Sequence, residues 1–390
     1  MKKLLAVILL LFLLPPAAAV TAHAEEWADD PQSQSDGFDY QGQAEEFLEE
    51  GAVGELPGLI PPSAKELLPD SGDSISDMVK SFTPKAFLAQ AVQMVKKNLA
   101  APLRLLTSLI GVIILCAVLG SFNTSFGQSG IVPIFNVVIC VFISSIIIDP
   151  VVECIVDATA AIREFSLFIL TFVPVFAGVV TAAGQPMTGA AYNLFVFWMC
   201  QITSQLITGT FVPLLCAYLA LSLISVVCPR MRLAEAVGGI KTFVTWCLTL
   251  ILTVFVGLLT IQSVVASGGD SIAVKTTKFF IGSLVPVVGG ALSDMFMAAQ
   301  GCIQLVKGTV GAFGVVITAL TFLPILLRTV IWYVSINIGG IISNLFGVEE
   351  ITKLLKAISS TLGILMAVLL YYALLVIIST TILIVAFKGS

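Results

Sequence analysis

The stretch TFVPVFAG, residues 171–178, sets a proline inside one of the most apolar parts of the chain. Similar octapeptides recur as TFVPLLCA at 210–217, SLVPVVGG at 283–290 and TFLPILLR at 321–328. A proline lacks the backbone N–H that a helix interior uses, and its ring clashes with the preceding turn. We therefore expect hydrophobic helices that are interrupted at four positions. These are Pro174, Pro213, Pro286 and Pro324.

The composition indicates a membrane protein. Of the 390 residues, 58% are hydrophobic and 11% are charged, whereas about a quarter of the residues in a soluble domain are charged. Nucleic-acid binding would need a basic patch or stripe, and the sequence has none of adequate size on a soluble element. We therefore expect the lipid bilayer, and no nucleic acid, as a partner.

Residues 1–24 have the pattern of a secretory signal peptide. Two lysines precede a short apolar run at 4–14, and AHA at 22–24 matches an A-x-A cleavage site. An uncleaved signal anchor is the alternative. Cleavage would remove His23, which is the only histidine of the sequence.

The available residue types argue against an enzyme. Histidine is the commonest general base and metal ligand, and the sequence beyond residue 24 has none. The eight cysteines form no C-x-x-C pair and lie mostly in apolar runs, where cysteine acts as a small buried hydrophobe. We predict no enzymatic activity, no catalytic residues, no cofactor and no metal site.

Residues 25–80 form an acidic segment that holds 15 of the 24 Asp and Glu residues. Its few large apolar side chains bury too little surface to offset the entropy of ordering. We predict a flexible extracytoplasmic arm; short helices at EEFLEEG and AKELLPD are the alternative. Residues 81–101 then combine apolar residues at helical spacing with Lys85, Lys96 and Lys97. This pattern predicts a basic amphipathic helix at the membrane surface.

Residues 102–390 are the predicted multi-span membrane domain. A membrane-spanning helix needs about 20 apolar residues. Clear candidates are 102–120, 131–149, 165–184, 190–209, 211–228, 240–267 and 362–387, and two interrupted ones are 279–299 and 309–347. The predicted fold is an all-α polytopic membrane protein. It has eight to ten transmembrane or re-entrant helices, several of them interrupted by Pro or Gly.

The basic residues predict an orientation, because cytoplasmic loops are enriched in Lys and Arg. The loop 229–241, with Arg230, Arg232 and Lys241, is placed in the cytoplasm, and the acidic loop 149–164 is placed outside. The basic cluster 80–104 would then lie outside, against the general trend. A cleaved signal peptide can impose that arrangement.

The spacing of the prolines favours an internal duplication. Pro174 and Pro213 are 39 residues apart, and Pro286 and Pro324 are 38 apart. The corresponding repeats would be 165–228 and 278–347. Chance recurrence of similar strings in a chain rich in Phe, Val and Leu is the alternative.

Interrupted helices at membrane depth are typical of transport proteins, where the freed backbone groups line a cavity or pack in protein. This predicts a conduit or transporter-like core around the four prolines. The alternative is ordinary enrichment, because Gly and Pro are more frequent in membrane helices than in soluble ones.

Asp294 and Arg328 are the two charges that stand out in the apolar stretches. A charge at the centre of a bilayer is costly and faces a partner or water. We expect both side chains to face the interior of the helix bundle and to pair with each other. Alternatively, both lie near helix ends and extend to the membrane interface.

The stretch 255–316, FVGLLTIQSVVASGGDSIAVKTTKFFIGSLVPVVGGALSDMFMAAQGCIQLVKGTVGAFGVV, resembles the stage III sporulation protein AE family. The order of features is also similar: a signal peptide, an acidic arm and a polytopic body with FVP-type motifs. The resemblance extends over roughly residues 80–387.

The resemblance implies a function that composition does not. The family is made in the mother cell of endospore-forming bacteria and is located in the outer forespore membrane, with the acidic arm in the intermembrane space. It implies a channel or secretion-like complex between mother cell and forespore. The expected partners are a ring protein, a cytosolic ATPase and a forespore membrane protein. This chain would be a permease-like or export-gate-like core.

Two other functions stay open at the level of sequence. One is a stand-alone secondary transporter of a small solute. The other is an intramembrane enzyme, which the missing histidine and the lack of paired catalytic carboxylates disfavour.

Overall fold

The computed structural model describes residues 40–49, 51–65, 67–68, 74–81, 84–126, 132–227, 233–284 and 289–385. Every regular element in these ranges is helical. Short elements come first: α1 (Tyr40–Glu49), α2 (Gly51–Gly54), a 3₁₀ turn (Leu56–Leu59), α3 (Pro62–Lys65), α4 (Ile75–Ser81) and α5 (Pro84–Asn98). Longer helices follow: α6 (Ala100–Phe126), α7 (Val132–Ala182), α8 (Pro186–Leu206), α9 (Val212–Val227), α10 (Leu233–Leu284), α11 (Gly289–Leu345) and α12 (Glu349–Val385).

Six helical segments of the described residues are long and apolar enough to cross a membrane. They are Ala100–Leu119, Val137–Ala182, Pro186–Val227, Glu235–Thr277, Ala299–Leu345 and Glu349–Ile384. The all-α membrane class is therefore confirmed, and the predicted count of eight to ten is not. The reason is that neighbouring predicted spans share one continuous helix. Residues 132–149 and 165–182 of two predicted spans both fall in α7, and the acidic stretch 149–164 is part of that helix instead of a loop.

The prolines do not break the helices as expected. α7 continues through Pro174 and α11 through Pro324, because one lost hydrogen bond is small beside the packing of a long helix on either side. Pro213 follows a π-helical turn, Ile207–Phe211, which joins α8 to α9. Such a turn contains an extra residue and accommodates a local disruption of the ladder. Pro286 lies outside the described residues.

The two predicted repeats have different structures. The first, 165–228, reverses direction at residues 183–185, between α7 and α8. In the second, residues 289–345 are one unbroken helix. The duplication of a three-segment unit stays a prediction, because residues 228 and 285–288 of the predicted repeats lie outside the described ranges.

The core lies around α11 and α12. In their most apolar windows, 83% and 72% of the residues are buried inside the protein, against 22% for α10. Phenylalanines at helical spacing on α7 pack into this core and stack along the helix. The set is Phe165, Phe168, Phe172 and Phe176, which contacts Phe313 and Phe322 of α11 and Tyr372 of α12. An aromatic seam thus fixes α7 against the two central helices.

The described part of the acidic segment is helical. α1, α3, α4 and α5 contact α11, and Leu48, Leu56 and Ile75 are buried there. The structure thus has short helices within residues 40–81, and α1 includes residues 45–49 of EEFLEEG, whereas α3 ends at Lys65, near the start of AKELLPD. The flexible extracytoplasmic arm stays a prediction. The position of α5 at a membrane surface stays a prediction, and residues 1–24 lie outside the described ranges.

The long helices exceed the thickness of a bilayer. α7 has 51 residues, which at 1.5 Å per residue is about 76 Å. The hydrocarbon core of a bilayer is about 30 Å thick. A substantial part of α7 therefore lies beyond the hydrocarbon layer.

Candidate functional site

Polar residues converge on the turn between α7 and α8. We call the four side chains that hold this turn the turn clamp: Gln185 of the turn itself, Asp270 of α10, and Gln300 and Lys307 of α11. All four are buried, although they lie among highly apolar helices. A buried ionisable group in a membrane domain is the usual mark of a functional site, so the clamp is the candidate site of this chain.

The turn itself follows from its sequence, Ala183-Gly184-Gln185-Pro186. Gly184 has φ +83°, a left-handed conformation that glycine adopts without a steric penalty. The Gln185 N–H donates to the Val180 carbonyl at 3.2 Å, as expected when glycine ends a helix. Pro186 then opens α8, where its missing N–H costs nothing. The chain therefore reverses within three residues.

Asp270 caps α8 from a different helix. Its Oδ1 accepts the Met187 N–H and its Oδ2 accepts the Thr188 N–H, both at 2.9 Å. These N–H groups belong to the first turn of α8 and have no partner within the helix. A carboxylate at this position also interacts favourably with the positive end of the helix dipole. Asp270 is fully buried, so these bonds are made in the absence of competing water.

α11 supplies the other half of the turn clamp. Lys307 donates from Nζ to Gln185 Oε1 at 2.9 Å, and Gln300 donates from Nε2 to the Ala183 carbonyl at 3.2 Å. Lys307 and Asp270 thus contact the same turn from two different helices and carry opposite charges. The turn is thus held by a negative group from α10 and a positive group from α11.

Two polar atoms beside the turn clamp have no partner within the described structure. They are Nε2 of Gln185 and Oγ1 of Thr188, and both are buried. Thr188 lines a small cavity of about 10 Å³ between α8, α10 and α12, together with Tyr192, Gln262, Ser263 and Ser379. Tyr192 shares a hydrogen bond of 3.4 Å with Thr380 of α12. Thr188 Oγ1 could therefore form a further hydrogen bond, and the cavity beside it is about the size of one water molecule.

Arg328 belongs to a second charged group. It lies in the C-terminal half of α11, whereas Gln300 and Lys307 lie in the N-terminal half. Its guanidinium forms ion pairs with Glu153, at 2.7 Å, and with Asp157. These carboxylates are four residues apart on α7 and so lie on one face. The Arg328 cluster is partly open, because the side chain of Glu153 is 59% exposed and that of Arg328 is 30% exposed. It ties the middle of α7 to the C-terminal half of α11.

The predicted pairing of Arg328 with Asp294 is wrong. Both residues lie in α11, 34 positions apart, which is about 51 Å along a helix. Arg328 pairs with α7 instead, and the side chain of Asp294 lies outside the described part of the structure. Pro174 and Pro213 have exposed side chains and Pro324 is half-buried. Of the predicted site residues whose side chains the structure describes, Pro174, Pro213, Pro324 and Arg328 therefore do not face one shared interior.

The sequence analysis missed Asp270 and Lys307. Each is a single charge within an apolar stretch, in GGDS and LVKG, and both fall inside the 255–316 region. An isolated charge in an apolar stretch can be found in the sequence. The sequence does not indicate, however, that both residues contact the turn at 183–185. Among the residues that the structure describes, no three His, Cys, Asp or Glu side chains are close enough to hold a metal ion.

Comparison with known proteins supports the resemblance of the 255–316 region. The family model for stage III sporulation protein AE matches residues 70–387, which include α4 through α12. Stage III sporulation protein AE of Bacillus subtilis (strain 168) is 25% identical over 335 residues, covering 85% of this chain and 82% of that protein. No solved structure matches the chain. Because the family model spans the whole membrane domain, the chain belongs to the stage III sporulation protein AE family.

Proposed function

We propose that this chain is a membrane subunit of the channel or secretion-like complex that links mother cell and forespore during endospore development. The observation that carries the proposal is the family match over residues 70–387, which supports a role in sporulation. All six candidate membrane spans lie within the matched region. In this proposal the chain is a permease-like or export-gate-like core without enzymatic activity.

The arrangement of charges in the structure is compatible with such a role. The Asp270 and Arg328 side chains are engaged in contacts between helices, which suits a subunit that positions helices. We place the chain in the outer forespore membrane, with residues 25–80 in the intermembrane space. Its proposed partners are a ring protein, a cytosolic ATPase and a protein of the forespore membrane.

The test is deletion of the gene in its spore-forming host, followed by complementation. We expect heat-resistant spores and forespore-specific reporter activity to be lost, and both to return with the intact gene. Vegetative growth should be unchanged. Normal spore numbers in the deletion strain would contradict the proposal.

A stand-alone secondary transporter for a small solute is the second candidate. The buried Asp270 and Lys307 favour it, because intramembrane charges often mark solute pathways. Purification from sporulating cells separates the two functions. Recovery of the chain with other sporulation membrane proteins and an ATPase supports the complex, whereas recovery alone, with a growth defect in vegetative cells, supports the transporter.

A further inference from the structure

We propose that Asp270 and Lys307 form a latch that holds the α7–α8 turn closed, and that water enters the bundle beside Thr188 when this latch is released. The inference concerns the membrane domain itself and goes beyond the proposed role in sporulation. It does not depend on which partners the chain has.

The first argument is where the polar contacts of the turn come from. The N–H groups of Met187 and Thr188 are bound by Asp270 of α10. The Ala183 carbonyl and the Gln185 side chain are bound by α11. The turn therefore keeps these buried polar contacts only while α10 and α11 stay in place.

The second argument is charge. Asp270 and Lys307 are 0% and 4% exposed, so each depends on the hydrogen bonds that it makes to the turn. Removal of either charge takes away charge-assisted hydrogen bonds from a buried turn, which is unfavourable. In this proposal the latch is closed while both side chains bind the turn, and it is open when water replaces them.

The third argument is that two buried polar atoms near the turn could form hydrogen bonds to water. Gln185 Nε2 and Thr188 Oγ1 are buried without hydrogen-bond partners. The adjoining cavity of about 10 Å³ is about the size that holds one water molecule. Opening of the latch would enlarge a space that Thr188 already lines.

The helices that carry the latch also extend past the turn. α10 continues for 14 residues beyond Asp270, and α11 begins 18 residues before Lys307. At 1.5 Å per residue these extensions are about 21 and 27 Å long. A force applied to either extension therefore acts on the latch through a rigid helix.

The experiment measures the reactivity of a cysteine at the turn. Thr188→Cys retains the backbone N–H that Asp270 binds and places a thiol at the cavity. Membranes that contain this variant are treated with a small, charged, water-soluble thiosulfonate, and labelling at residue 188 is followed by peptide mass. We expect slow labelling, because a thiol shielded from water does not form the reactive thiolate.

Release of the latch should increase the rate at which the cysteine at position 188 is labelled. We expect Asp270→Asn, combined with Thr188→Cys, to label on the order of tenfold faster or more, since charge-assisted bonds are lost and local opening becomes easier. Lys307→Met should also increase the labelling rate at residue 188. It replaces Asp270→Asn in the comparison if that variant does not insert into the membrane. The matched control is Asp149→Asn, an exposed carboxylate of α7, which should leave the rate unchanged.

Three results would overturn the proposal. The first is an equal labelling rate with and without the Asp270 or Lys307 substitution. The second is fast labelling of Thr188→Cys while the latch is intact. The third is labelling of Cys200, which is buried on α8, in both latch variants, because that would mean opening of the whole bundle instead of the turn.

Discussion

Gly314 of α11 lies directly against the ring of Phe172 of α7, and a Cβ atom at position 314 would overlap that ring. Phe172 cannot easily move away, because it is fully buried and stacks with Phe168 and Phe176 at ring-centroid distances of 5.3 and 5.5 Å. Small residues let membrane helices approach closely. The crossing of α7 and α11 therefore depends on the absence of a side chain at this position.

Gly314→Ala should destabilise the protein by about 1–3 kcal/mol, the usual cost of overpacking a core. The measurement is thermal unfolding of the purified protein in detergent. Gly308→Ala is the control on the same helix, because a Cβ atom there meets nothing within 4 Å. It should be neutral or stabilising by up to about 1 kcal/mol, the helix-propensity gain of alanine. Equal effects of the two substitutions would contradict the close crossing.

Gly184→Ala should weaken the α7–α8 turn. The left-handed φ of +83° costs an L-residue about 1–2 kcal/mol, and the new Cβ atom would also meet the Gln300 side chain. Gly178→Ala, in the regular part of α7, has open space around it and serves as the control. Proteolysis at the turn and thermal unfolding should both distinguish the two variants. A turn that tolerates alanine equally well at both positions would argue against this geometry.

Asp270 and Lys307 should be energetically coupled. Each single variant, Asp270→Asn or Lys307→Met, removes a charged hydrogen-bond partner of the buried turn, which should cost about 1–3 kcal/mol. The double variant should cost less than the sum of the two, by about 0.5–3 kcal/mol. Stabilities of the four proteins, measured by unfolding in detergent, give the coupling energy. Strict additivity would show that the two charges do not interact.

Arg328 should be coupled to α7 and not to Asp294. In the cycle with Asp157→Asn and Arg328→Gln we expect a coupling of up to about 1 kcal/mol, a modest value because the pair is partly exposed. The cycle with Asp294→Asn should be additive within about 0.5 kcal/mol, since the two residues are far apart on one helix. A larger coupling to Asp294 would require that α11 bends back on itself.

Much of the fold class was readable from the sequence because it depends on local composition. Apolar runs predict membrane helices, and α7 ends at Ala182 and α8 begins at Pro186, close to the predicted ends of the spans 165–184 and 190–209. The continuity of the long helices could not be predicted from the sequence. A charged stretch such as 149–164 looks like a loop in isolation, but its apolar face, with Val151, Cys154 and Ile155, is buried in the bundle. Arg328 of α11 also pairs with the carboxylates of this stretch.

The candidate site was harder to predict, because it depends on contacts between distant parts of the chain. Asp270 and the Met187 N–H are 83 residues apart, and Lys307 and Gln185 are 122 apart. Asp294 and Arg328 drew attention because each is a charge close to a proline motif. That reasoning identified real charges but assigned the wrong partner, since pairing is decided by which helices meet.

The length of α7 also governs how the protein can be purified. Val138 and Leu170 are both exposed apolar residues, and 32 residues of helix place them about 48 Å apart. A detergent belt that mimics a bilayer covers about 30 Å, so it cannot wrap both positions at once. A single belt therefore leaves one of these apolar positions uncovered, so the isolated chain should self-associate as its concentration rises, and the unfolding measurements above call for dilute samples. Co-expression with a protein that covers the remaining apolar surface should yield monodisperse material.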